Sequence, residues 1–110
     1  MTKIQRAYDH EEITGYRVLV DRLWPRGIKK EDLELDAWEK DLAPSTELRK
    51  WFNHDPAKWT EFKQKYQAEL KDKTAILEKL KQHKNLVLIY GAKDEMHNNA
   101  VALQDILNRL

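Results

Sequence analysis

Leu86-Val87-Leu88-Ile89-Tyr90 places five apolar residues in succession between Asn85 and Gly91. A strand with one wet face alternates apolar and polar side chains. An unbroken run this short, closed by turn-forming residues, predicts a strand covered on both faces. Tyr16 to Asp21 repeats the pattern, with Val18-Leu19-Val20 apolar on either side. Two such strands call for the centre of a parallel sheet with helices packed against it.

The remaining segments supply the partners. Lys3 to Tyr8 alternates, with Ile4, Arg6 and Tyr8 opposite Gln5 and Ala7, and reads as a first strand. Asp9 to Gly15 is a polar connection closed by glycine. Lys29 to Leu33 fits a turn of helix, and Asp36 to Leu42 a strand with Trp38 and Leu42 inward. In Pro44-Ser45-Thr46-Glu47, Ser45 or Thr46 can cap a helix that puts Leu48, Trp51 and Phe52 on one face. Asn53-His54 ends it, and Asp55-Pro56 starts another, with Asp55 as N-cap and proline where its missing N–H costs nothing. Trp59, Phe62, Tyr66 and Leu70 then form one apolar stripe. A third helix is expected from about Lys73 to Gln82, and a last one from about His97 to Leu110. Strands alternating with helices over residues 1–110 make one small α/β domain.

Charge narrows the function. Twenty Lys and Arg balance nineteen Asp and Glu, and the net charge of +1 gives no general attraction to nucleic acid or an anionic membrane. Any basic site is therefore local. The chain has no cysteine, which excludes thiolate catalysis, cysteine-bound zinc and iron–sulfur clusters. Met1 to Arg6 lacks the apolar core of a signal peptide and no stretch approaches a membrane span, so the expectation is a cytoplasmic protein.

Ligands of open α/β sheets bind outside the carboxyl ends of the strands. There the chain puts Asp21, Arg22, Trp24 and Arg26, followed by Pro25 and Gly27 as backbone breakers, and after the later strand Lys93, Asp94, His97 and Asn98. With the two strands parallel these loops face each other, and the last helix adds its free N–H groups, which favours an anion or a phosphate-bearing ligand. The plainer alternative is that Asp21 and Arg22 pair with neighbours and Asp94 caps the helix. His54, beside Asp55, and His97, three residues after Asp94, are the candidate proton carriers. Either is equally well a turn or capping histidine. His10 and His83 read as surface residues. No HExxH-like pairing occurs, and no metal ligands are assigned. Trp51 and Trp59 read as core, whereas Trp24 is either a stacking wall or filler for the sheet edge. Lysines from Lys58 to Lys84 alternate with Glu61, Glu69, Asp72 and Glu78, the pattern of a solvated face.

Three long motifs, Arg17 to Gly27, Leu42 to Pro56 and Ala92 to Ala100, closely resemble the short, YeaO-like branch of the DUF488 family. The resemblance implies a small Rossmann-like, three-layer α/β domain whose short, mostly parallel sheet is flanked by helices. It carries no established activity and identifies no cofactor. It adds Ser45, Arg49, His54 and Asp55 as a third wall of the site. Longer relatives carry a Cys-His-Arg element where this chain has Met96-His97-Asn98, so chemistry needing that cysteine is absent here. Two functions fit. One is a hydrolase or group transferase acting on an anionic, nucleotide-like small molecule, with Arg22, Arg26, Arg49 and Lys93 holding the anion and Ser45, Asp94 and Asn98 completing the ligand site. Trp24 then supplies a flat wall, and His54 or His97 moves a proton with Asp21 or Asp55 orienting it. The other is a non-catalytic module that binds an anionic ligand or a nucleic-acid end in the same cleft. A purely structural protein would instead fill the cleft with its own ion pairs.

Overall fold

All five residues of Leu86–Tyr90 (β4) are buried, with Leu86, Leu88 and Tyr90 facing one core and Val87 and Ile89 the other. The computed structural model describes residues 2–110. β4 pairs in parallel with Thr2–Arg6 (β1), from Thr2 opposite Leu86 to Arg6 opposite Tyr90. On its other side it pairs with Tyr16–Leu19 (β2), from Tyr16 opposite Leu86 to Leu19 opposite Ile89. Ala37–Trp38 (β3) lies along the outer edge of β2, giving the order β1-β4-β2-β3 with every pairing parallel. Both apolar-run strands are thus central. Gly15 lets β2 come this close: a Cβ there would sit 2.4 Å from the carbonyl oxygen of Asn85, which accepts the N–H of Tyr16.

Strand order dictates where the helices go. From β1 to β2 to β3 the chain moves one way across the sheet, and it then turns back to β4. Crossovers between parallel strands are right-handed, so this reversal switches the face that the connections cover. One face carries only the turn of helix Lys30–Leu33 (α1) and loops, with Leu33 packed near Leu19, Val87 and Ile89. The other carries Thr46–Phe52 (α2), Trp59–Glu69 (α3), Thr74–Lys81 (α4) and Asn99–Asn108 (α5), whose apolar stripes build the larger core. The layers are therefore unequal, one thick and one thin. Among the described residues no helix is long and apolar enough to cross a membrane.

Several boundaries differ from the sequence expectation. The segment Asp36 to Leu42 pairs only at Ala37 and Trp38, because the ladder ends where Glu39 N–H bonds to the Leu19 carbonyl and the chain coils into a 3-10 turn over Lys40–Leu42. That turn sends Trp38 to the thin face and Leu42 to the thick one. The last helix begins at Asn99 rather than His97, since the Asn98 side chain caps it by accepting the N–H of Val101. His83 is half-buried, not a free surface residue: its ring stacks on Tyr16 at 3.7 Å.

β2 runs out toward the thin face and β4 toward the thick one. The connections that follow the two neighbouring strands diverge, and a crevice opens between them.

Candidate functional site

The crevice is a cavity of about 330 Å3. Asp21, the second residue beyond β2, lines it. Its Oδ2 accepts the N–H of Gly91 at 2.8 Å and its Oδ1 accepts from Asn99 Nδ2 at 3.0 Å, so the carboxylate ties the ends of β2 and β4 to the start of α5. Asn99 also donates to the Val20 carbonyl, and the indole N–H of Trp38 donates to the Asp21 carbonyl. Burial pushes the Asp21 carboxyl above its ordinary value, opposed by the Asn99 amide, the Gly91 N–H and the Arg49 charge.

Two arginines reach the same cavity from different elements. Arg22 follows Asp21 in the loop after β2, and Arg49 projects from α2, where one guanidinium N–H donates to Thr46 Oγ1 at 3.2 Å. Neither forms an ion pair among the described residues. The walls are aromatic. Phe52 and Phe62 stack at 4.4 Å, and Trp24 is held by its N–H bond to the Ile28 carbonyl and by an edge contact with Trp38. Trp24 therefore both closes the sheet edge and faces the cavity.

The two candidate histidines also line it. His97 Nδ1 lies 2.9 Å from Asp94 Oδ2, and the Trp59 ring meets its edge at 5.4 Å. Asp94 Oδ1 accepts the N–H groups of Met96 and His97. These bonds hold the Asp94 carboxyl below its ordinary value, the Met96 N–H first and the His97 ring next. A carboxylate on Nδ1 makes that nitrogen the donor and leaves Nε2 open. His54 is exposed and stands at φ 56°, directly after Asn53 at φ 47°, in the left-handed region.

Of the other sequence candidates, all but Asn98 sit around the cavity rather than in it. Ser45 caps α2 through the N–H of Leu48 and donates its hydroxyl to Glu69. Asp55 accepts the N–H of Ala57 and caps the turn before α3. Asn98 lines the cavity but uses its amide on Val101 and on the Asp94 carbonyl. Arg26 and Lys93 are exposed, and the carbonyl of Arg26 accepts the Tyr8 hydroxyl. Sequence reasoning placed Phe52 and Phe62 in the core only and passed over Asn99. The pattern of a helix face carries no mark for a core ring that also borders a cavity. Asn99 stands at the first turn of a helix after a strand, a position that could have flagged it. Among the described residues no three His, Asp or Glu side chains are grouped to hold a metal ion.

Residues 1–110 match the family model described as the inactive DUF488-N3 subclade. The chain belongs to the DUF488 family. It is similar to the uncharacterized protein YeaO of Escherichia coli (strain K12), 46% identical over 110 residues and covering 96% of each chain. It is also similar to the uncharacterized protein Rv3073c of Mycobacterium tuberculosis (strain H37Rv), 39% identical over 112 residues, or 97% of this chain and 95% of that one. No solved structure matches significantly. DUF488 membership is what the three sequence motifs imply, and those motifs supply the loops and the helix, α2, that enclose the crevice.

Proposed function

We propose that this DUF488 protein is a non-catalytic binding module for a small anionic ligand, held between the carboxyl ends of β2 and β4. The observation that carries the reading is the pair Arg22 and Arg49, which line one aromatic-walled cavity with no ion-pair partner among the described residues. Unpaired guanidinium groups at a concave surface are suited to grip a carboxylate or phosphate through parallel hydrogen bonds. A purely structural role would require those charges to be neutralised from within. The non-catalytic side is supported by the subclade's description as inactive, by the lack of cysteine, and by a Ser45 hydroxyl already engaged with Glu69.

A second reading, a hydrolase or group transferase, draws on one observation: the Asp94–His97 pair leaves Nε2 open on a cavity-lining ring. Thermal-shift measurements with inorganic phosphate, nucleotides, sugar phosphates and organic acids separate these readings. Wild-type protein should melt higher with at least one class at millimolar concentration, and Arg49→Ala should weaken that ligand about tenfold or more. If no anion shifts the wild type, the binding reading fails. If the ligand is turned over, and His97→Ala stops turnover while keeping affinity, the enzymatic reading replaces it.

A further inference from the structure

A carboxylate in a cavity built to hold an anion is a contradiction unless it has its own part of the ligand to meet. Asp21 cannot leave. Its two oxygens are held by Gly91 N–H at 2.8 Å and Asn99 Nδ2 at 3.0 Å, and swinging toward Arg22 or Arg49 would break both bonds and separate the ends of β2 and β4. Each oxygen has accepted one hydrogen bond, and a carboxylate oxygen has room for a second. A bare inorganic anion would gain the arginines but meet the repulsion of Asp21. A ligand with a hydrogen-bond donor at the right end turns that repulsion into a bond.

Shape points the same way. Phe52, Phe62 and Trp24 give the cavity flat apolar walls, and about 330 Å3 lies at the low end of small-molecule sites, enough for one ring system with an anionic substituent. His97, fixed by Asp94 on Nδ1, adds a polar ring to the same lining. We infer that the ligand is bipolar: a flat ring that carries an N–H donor, received by Asp21, and an anionic group, received by Arg22 and Arg49. This rests on the anion-binding reading and adds the chemistry of the ligand's other end.

The test varies only that end. Titration calorimetry on the wild-type protein compares inorganic phosphate, phenyl phosphate, 4-aminophenyl phosphate and 4-methoxyphenyl phosphate. The amino compound should bind about tenfold tighter than phenyl phosphate, the gain of one hydrogen bond to a charged acceptor. The methoxy compound, which offers Asp21 only another acceptor, should bind more weakly than phenyl phosphate. In Asp21→Asn, checked for native melting, the amino preference should fall below about threefold. If Asp21→Asn fails to fold, the wild-type order alone decides. Equal affinity for the three aryl phosphates, or an amino preference kept in folded Asp21→Asn, overturns the bipolar ligand and leaves the anion site standing. No binding by any of the four overturns the bipolar ligand, and the anion reading then stands or falls on the wider thermal-shift series.

Discussion

Asp21 and Asp94 lie in the loops that follow β2 and β4, one at each side of the cleft, and their surroundings push them in opposite directions. Burial raises Asp21 above the ordinary 3.8, whereas the Met96 N–H and the His97 ring lower Asp94 below it. The linkage follows from which form the fold prefers. For Asp21 the fold prefers the proton, so its contribution to stability is full below the ordinary value and is lost as pH rises through the raised one. For Asp94 the fold prefers the charge, so its contribution is present above the ordinary value and is lost as pH falls through the lowered one. In a carboxyl carbon NMR titration Asp21 should therefore have its midpoint above 3.8 and Asp94 below it. The Gly91 amide should follow the first and the Met96 amide the second. Coincident midpoints would refute this account of the site. The Asp94 cap beside His97 was legible in the sequence, and the Asp21 environment was not. Asp21 was a strand-end acid among arginines, which reads as an ion pair, and only the pairing of β2 with a strand 70 positions later in the chain buries it instead.

At the scale of elements, most of the fold followed from local patterns. The two apolar runs marked the central strands, Ser45 and Asp55 marked the caps they prove to be, and the Trp59-Phe62-Tyr66-Leu70 stripe marked the buried side of α3. What local pattern missed was set by neighbours. β3 stops after two residues because its partner strand stops, and α5 starts late because Asp94 caps its own turn first. The end of α2 holds a more informative departure. Asn53 ends the helix in the left-handed conformation that asparagine tolerates, but His54 repeats it at φ 56° with only a ring contact to Phe52 beside it. A side chain with a Cβ there costs about 1–2 kcal/mol. Strain of this kind at a cavity wall is kept where position matters more than stability. His54→Gly should therefore be about 1 kcal/mol more stable than His54→Ala in urea unfolding, since alanine keeps the strained Cβ and glycine removes it. Equal stabilities would mean that the turn carries no strain.

The molecule as a whole is asymmetric, and its near-zero net charge hides the fact. The cleft carries Arg22 and Arg49, while the groove on the thin face is lined by Asp9, Glu11, Glu12, Glu31, Asp32 and Glu34. That face has one turn of helix over the smaller apolar cluster, and a polar tie adds to the hold on its loops. Arg17, pointing from β2 into the acidic side, is that tie. Its guanidinium donates to Gln5 Oε1 at 2.8 Å, to the Ile13 carbonyl at 3.2 Å and twice to the Leu33 carbonyl, and so joins β1, the β1–β2 loop and α1 at one point. Arg17→Ala would leave these acceptors without their donor and the surrounding carboxylates without their cation. A loss of about 3 kcal/mol in urea unfolding is expected. Lysine has one ammonium where four bonds diverge, so Arg17→Lys should recover less than half of it. Added salt near 0.5 M should restore part of the loss in Arg17→Ala by screening the carboxylates, an effect absent from the wild type. The near-ultraviolet signal of Trp24 and Trp38, which pack on the thin face, should loosen before the thick core melts. A loss under about 1 kcal/mol, with no salt dependence, would show that apolar packing under Leu33 holds that layer unaided.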